Sequence, residues 1–499
     1  SEYKSNSNYV RYPEYDPEKG LMGVPDIDGV EDVKKKILNL LDGLSESRNR
    51  SVSFFVSGSY SFLDRYVVAG SIRMDGADII GTANRFSPLW NASFKYNVYE
   101  EGFMKKISWL DELAFRLSYG YTGSIDKNAL PFGVMTFMST DEYFGYDIPT
   151  YIQPKNPSVK WQKKEDRSVG VDFALLNRRI RGTVNYYNNV TRNLLDTKNL
   201  PISVGVSSIK YNSSSVRNYG WEFSMNSQVL RTRELFWKVD FNVGMNKSKV
   251  IKTYYKDISE VPKGYDKTTP VEGASTNAWF GYRFAGIDPR TGHTLAFVDN
   301  SERDKPVGYQ REDGRWVLDM DDVVNKDRES IKENLGNSYP TVNGGFRTNL
   351  AWKNFTFDAN FTFMLGHKIT AAYYATSAGG MVSSASQNVL RKETTRWRKP
   401  GDITDIPVYS AGGEFSSLYS EWYDLKLESG DFLKCTSISL GYRVPSKICQ
   451  KFSLTSLRVN FNVRDVFTIS GYSGLDPENF GGFSYPNSKK YMISLNIGI

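Results

Sequence analysis

The chain has little of what most enzymes and metal proteins display. It holds two cysteines and two histidines in 499 residues. Cys435 and Cys449 form neither a disulfide framework nor a metal-ligand spacing, and His293 and His367 are too far apart in sequence to suggest a histidine-based centre. No stretch approaches the roughly 18 consecutive apolar residues of a membrane helix. That excludes a helical membrane protein. It leaves a barrel open, because a barrel strand spends only every second residue on lipid and hardly moves the average hydropathy, here -0.46. There is no G-x-S-x-G elbow, P-loop, H-E-x-x-H or dinucleotide glycine fingerprint, and "SGYSG" at 470–474 reads as a turn after a strand. Asp321–Asp322 and Asp111–Glu112 read as solvated loop carboxylates rather than a glycosidase pair, and "DMDD" at 319–322 lacks the glycine and terminal glutamate of an EF-hand loop. No enzymatic activity, cofactor or metal is therefore expected. A net charge of +7, with both signs interspersed, argues against nucleic acid as a partner.

What is present is alternation. In "FWKVDFNVGMN" Trp237, Val239, Phe241, Val243 and Met245 are apolar, while Lys238, Asp240, Asn242, Gly244 and Asn246 are not. Period two is the signature of a strand, whose successive side chains point to opposite faces. The pattern recurs in "SVSFFVSGSYSF", "YVVAGSIRMD", "LWNASFKYNV" and "LAFRLSYGYT", and again at 168–176, 179–188, 219–230, 343–352, 355–366, 432–444, 455–466 and 490–499. About 14 strands are predicted.

Three features choose a transmembrane barrel over a soluble sandwich. Many runs span about 9–12 residues, the length a tilted membrane strand needs and about twice the soluble average. Short connections, at 63–65, 176–179, 230–234, 352–354 and 446–453, alternate with long polar ones at 141–167, 189–218, 248–276, 299–342 and 367–430. Outer-membrane barrels alternate periplasmic turns and external loops in this way. Trp90, Trp109, Tyr119, Tyr121, Trp221, Trp237 and Trp352 gather near strand ends, as an interfacial girdle requires. The predicted organisation is an external loop or linker over 1–50, with a helix at about 30–44 from Val33, Ile37, Leu40, Leu41 and Leu44, followed by barrel wall over 51–499. Aromatic residues in the long stretches, Trp279 and Tyr282 in "NAWFGYRF" and Tyr419, Trp422 and Tyr423 in "LYSEWYDL", are candidate substrate contacts. Flat faces over a pore mouth suit sugar rings or extended peptides.

Several phrases then resemble, in order, the C-terminal barrel portion of the starch-utilisation-system C type (SusC/RagA-like) of TonB-dependent outer-membrane transporters. They are "LAFRLSYGYTGSIDKNAL", "WQKKEDRSVGVDFALLNRRIRGTVNYYNNVTRNLL", "FAGIDPRTGHTLAFVD", "LGNSYPTVNGGF", "RWRKPGDITDIPVY", "ESGDFLKCTSISLGYRVP" and "LRVNFNVRDVFTISGYSGLDPE". The resemblance runs from about Phe54 to the end. It implies an all-β transmembrane antiparallel barrel of 22 strands, about 14 of them here, in the outer membrane of a Gram-negative bacterium. It also implies a plug and early-strand portion of the same transporter outside this chain, TonB acting through that plug, and a SusD-like surface lipoprotein over the external loops. The implied activity is active import of a nutrient, an oligosaccharide first and a peptide second. Two further readings stay open beside it: a passive porin-like channel, and a secreted β-rich protein that binds or hydrolyses glycans. "SEYKSNSNYVRYPEYDPEKG" carries no secretion signal or lipidation motif, so a removed leader or a start inside a longer protein is expected.

The loop-length alternation predicts orientation. With Ser301→Cys, an impermeant thiol reagent on intact cells should label the protein; with Thr232→Cys it should not. The reverse labelling would invert the topology.

Overall fold

The computed structural model describes residues 2–8, 15–16, 20–21, 44–81, 84–126, 132–140, 147–153, 155–199, 203, 208–260, 270–301, 303–321, 330–371, 394–408, 423–479 and 485–499. Fourteen strands form one antiparallel sheet in chain order. They are β1 (Glu2–Asn8), β2 (Leu44–Phe62), β3 (Tyr66–Ala77), β4 (Phe86–Asn97), β5 (Leu110–Ser124), β6 (Gln162–Leu175) and β7 (Ile180–Asn199). The series continues with β8 (Ser208–Arg231), β9 (Leu235–Lys252), β10 (Val342–Trp352), β11 (Phe355–Leu365), β12 (Phe432–Arg443), β13 (Ser456–Ser470) and β14 (Lys490–Gly498). Each pairs with its sequence neighbour, and among the described residues no ladder joins β1 to β14. No described helix is long and apolar enough to cross a membrane, which says nothing of strands.

Register carries the alternation of each strand into its neighbours. Across nine strands one row reads Leu113, Phe173, Gly182, Met225, Phe241, Phe346, Phe361, Cys435, Phe467. One residue away, on the opposite face, the row is Asp172, Thr183, Ser224, Asn242, Gly345, Thr362, Lys434. A slip of one residue would exchange the faces, so the pattern itself fixes the pairing. Side chains on the polar face bond across strands. Arg116 on β5 pairs with Asp172 on β6 at 2.8 Å and donates to Asn185 Oδ1 on β7 at 2.9 Å, and Arg347 on β10 donates to Asp358 on β11 at 2.7 Å. Gly220 on β8 shows why a small residue belongs on this face. Its missing side chain leaves room for the Tyr187 ring, whose hydroxyl donates to Asn246 Oδ1 at 2.9 Å.

Aromatic residues sit at both ends of the apolar face. Trp90, Tyr119 and Tyr121 cluster with centroids 5.4–5.8 Å apart where β4 and β5 approach the long connections. Tyr66 stacks on Tyr96 at 5.0 Å and Phe355 meets Tyr442 at 4.7 Å beside the short ones. β12 carries a bulge. On β11, Asn360 pairs with Ser437 and the next residue, Phe361, pairs with Cys435, so Thr436 has no partner across the ladder. Its hydroxyl donates to Asn360 O at 3.2 Å. Beyond the bulge Lys434 lies on the polar face, where its ammonium meets Glu478 and, at 3.3 Å, Asp465.

The expected count of about 14 strands is met, and both cysteines are free and buried. Three segments differ from expectation. Residues 2–8 are a wall strand rather than part of a linker, paired with Leu44–Arg50; "EYKSNSN" is polar throughout and carries no apolar alternation. Residues 189–218 are mostly strand, because β7 and β8 continue their ladder to Asn199 and Ser208. Residues 248–252 likewise complete β9. The helix expected at about 30–44 lies outside the described residues, apart from Leu44 itself, which opens β2.

Phe241 and Asn242 are adjacent residues of one strand on opposite faces. Phe241→Arg should cost about 2–4 kcal/mol, the range for a cation at the midplane of the lipid face. Asn242→Arg should cost much less. Denaturant titration in lipid vesicles measures both, and equal losses would contradict the facing.

Candidate functional site

The longest connections build their own folded unit on the wall. Ala278–Gly281 pairs with Glu333–Asn337, and a four-stranded sheet follows in the order Phe284–Ile287, Thr294–Val298, Trp316–Asp319, Tyr309–Gln310. Tyr282, Ala296, Val298, Leu318, Met320, Ile331 and Tyr423 form its core. "DPRTG" supplies the tight reversal between the first two strands of the sheet. Gly292 N donates to Asp288 O at 2.8 Å with Gly292 at φ +78°, a region that favours glycine. Trp397 lies where a side chain at 292 would be, its indole donating to Pro289 O at 3.0 Å. Val408 N donates to Gly292 O at 3.0 Å. The phrases "FAGIDPRTGHTLAFVD" and "RWRKPGDITDIPVY", a hundred residues apart, therefore meet at one turn.

The five aromatic candidates fare differently. Tyr282 and Tyr423 are almost wholly buried, joined by an isolated parallel bridge with ring centroids 5.5 Å apart. They were expected as exposed stacking faces; instead the unit uses them as core, packed with Leu318, Met320 and Ile331 and against Phe284 and Trp316. Trp279 is half-buried and its indole donates to Lys368 O at 2.8 Å, tying the unit to the segment after β11. Tyr419 and Trp422 lie outside the described residues.

Beside this core opens a cleft of about 810 Å³, lined by Arg283, Phe297, Asp299, Arg315, Glu333 and Asp424 among others. Its volume is that of a small-ligand site. Arg283 pairs with Glu333 at 2.9 Å, Arg315 pairs with Asp313 at 2.7 Å, and the Arg315 guanidinium lies 4.6 Å over the Phe297 ring. Burial pushes the Glu333 carboxyl above its ordinary pKa; Arg283 opposes the shift and Asp424 and Asp299 add to it. Hydrogen bonds from Ser301 hold Asp299 below the ordinary carboxylate range. Alternation and aromatic content had pointed elsewhere: these charges become a site only when the loop strands pair, and "DGRW", a turn signal, was the nearest cue.

His293, Asp319 and Asp321 bring possible ligand atoms within 4.8 Å of one another. Bonds within the loop unit account for that grouping. His293 Nδ1 lies 2.9 Å from Asp319 Oδ2, Asp321 N donates to Asp319 Oδ1 at 3.0 Å, and Thr294 N donates to Asp321 Oδ2 at 3.0 Å.

A family model described as "TonB dependent receptor-like, beta-barrel" matches residues 2–351. SusC, a TonB-dependent receptor of Bacteroides thetaiotaomicron, is 26% identical over 475 residues, covering 90% of this chain and 44% of SusC. The TonB-dependent receptor P3 of Formosa agariphila is 25% identical over 464 residues, covering 90% of this chain and 43% of that protein. This chain thus spans less than half the length of these relatives. Among solved structures, the RagAB peptide transporter superposes with a TM-score of 0.78 at 22% identity, over 97% of this chain and 50% of that one, a likeness of fold. The SusC/RagA resemblance and the transmembrane barrel fold read from the sequence are borne out.

Removing a large buried ring costs about 3–5 kcal/mol. Tyr423→Ala should therefore speed amide exchange in 284–287, 294–298 and 316–319 and leave β5–β9 unchanged. Hydrogen-exchange mass spectrometry reads this, and unchanged loop amides would refute the assigned core.

Proposed function

Because this chain belongs to the TonB-dependent receptor-like β-barrel family, we propose that it forms wall, lumen lining and external loops of an outer-membrane importer energised through TonB. The observation that carries the proposal is the pair of faces. The apolar rows meet acyl chains, and the polar rows, with Arg116–Asp172 and Arg347–Asp358, line a wet passage. A further portion of the same transporter supplies the plug and the strands that pair with the edges of β1 and β14, since bare strand edges in hydrocarbon leave backbone groups unbonded at several kcal/mol each. A SusD-like surface lipoprotein covers the external loops. The cargo is a nutrient oligomer, glycan or peptide. Family membership favours this reading over a passive porin and over a secreted glycan-active protein.

Extraction in mild detergent followed by mass spectrometry of every co-travelling polypeptide tests the assembly. A plug-bearing, TonB-contacting segment and a surface lipoprotein are expected companions. A chain that stays in water, alone and folded, would overturn the proposal.

A further inference from the structure

We propose that the outward face of β5–β9, at its external end, is a binding site for a phosphate-bearing lipid of the outer leaflet. The inference rests on the importer reading only in standing this wall in the outer membrane with its long connections outside. Register sorts the side chains. Outward from Leu117 and Val169, successive rungs of the lipid-side face pair Tyr119 with Arg167, Tyr121 with Glu165, and Gly123 with Lys163. On the next strands Arg192 stands opposite Lys163, Arg217 opposite Val190, Lys249 opposite Arg217, and Lys247 opposite Tyr219. Six cations and one carboxylate, Glu165, therefore stand at and beyond the aromatic girdle. At the other end of the same face the positions are Leu113, Phe173, Ile180, Ser227 and Val239, none of them charged. On the lumen side of the same rungs Lys164 pairs with Asp166 at 2.6 Å, so the excess belongs to the lipid side.

Glu165 is buried and shared by Arg167 and, at 3.7 Å, by Arg192, whose own side chains are 52% and 56% exposed. Among the described residues no carboxylate lies within ion-pair distance of Lys163, Arg217, Lys247 or Lys249. Arg217 is aimed by Asn188, to whose Oδ1 it donates at 2.8 Å, and lies 5.0 Å over the Tyr219 ring. Six cations against one carboxylate leave five positive charges uncompensated, on a wall whose low dielectric favours an anion. Guanidinium forks and ammonium groups suit phosphate oxygens. Directly below Arg167 the same face opens a groove of about 500 Å³ walled by Val68, Ala92, Phe94, Leu117, Val169 and Tyr186. Ala92, small between Trp90 and Phe94, leaves the space, and Tyr119 and Arg167 close the external end. Arg167 lies two residues, about 7 Å of strand, outward of Val169, the step from acyl chain to headgroup. Free phosphate would use the cations and ignore the groove; a neutral lipid would do the reverse. A phosphorylated lipid uses both.

The test uses the intact transporter in detergent, titrated with monophosphoryl lipid A, with the same glycolipid stripped of its phosphate, and with inorganic phosphate. Native mass spectrometry reads retention. Monophosphoryl lipid A should be retained and its dephosphorylated form retained about tenfold less. Inorganic phosphate at the same concentration should neither bind nor compete. The triple variant Arg192→Gln, Lys247→Gln, Lys249→Gln, all at exposed side chains, should lower retention of the phosphorylated lipid about tenfold and leave the other unchanged. Ala92→Leu, which fills the groove and alters no charge, should lower retention of both. Heat-resistant gel migration confirms a folded barrel in each variant. Equal retention of the two lipids, retention of neither, or no effect of either variant would overturn the site. Competition by inorganic phosphate would make it a free-anion site, and a changed oligomeric state in the triple variant would give the face to a second copy; either overturns the lipid assignment. None of these results touches the importer reading, which stands or falls on the co-purifying partners.

Discussion

Everything in this chain follows from one requirement: in hydrocarbon a backbone N–H or C=O has no water to turn to and must bond to another strand. The fourteen-strand ladder answers it, each strand bonded to the one before and the one after. Length, alternation and short turns are then consequences. A strand must reach across the bilayer, show lipid one face only, and return at once to protect its neighbour. Only the outer edges of β1 and β14 are left without a ladder partner among the described residues, which is why completion by further strands is the central structural claim of the importer proposal.

Once the wall is rigid, the long connections are free to be something other than linkers. The unit between β9 and β10 has its own sheet and core, and it is locked from outside by 394–408 on the Asp288–Gly292 turn and by Tyr423 in its interior. Its charged cleft is thus held by segments from three connected stretches of sequence. A cleft assembled this way keeps its geometry because its floor is a packed core rather than a single flexible excursion.

The wall was legible because its signal is local. Trp237 to Met245 announce their face by spacing alone, and the same holds for most of β2 to β14. Where strands leave the bilayer the signal disappears: the far ends of β7 and β8 continue the ladder with apolar residues such as Val190, Leu194, Leu195, Ile209 and Val216 scattered out of strict alternation, and β1 continues it with polar residues, so nothing in the alternation marks them. The site was less legible still. Whether Tyr282 stands in solvent or in a core depends on Tyr423, 141 positions away, and Arg283 meets Glu333 only after the loop strands pair. Residue type told that the loops were rich in aromatics; it could not tell which rings would be spent on holding the loops together.

Thr436 gives β12 something like a reading frame. On one side of the bulge the residues of the apolar face are the even-numbered Ile438 and Leu440; on the other they are the odd-numbered Cys435 and Leu433. The extra residue shifts the frame once, and the shift is what sends Lys434 inward to Glu478 and Asp465 instead of outward into lipid. Genetic change at this point would therefore not be graded by side-chain chemistry. A substitution of Thr436 edits one letter, whereas its deletion misreads every letter between the bulge and the external end of the strand.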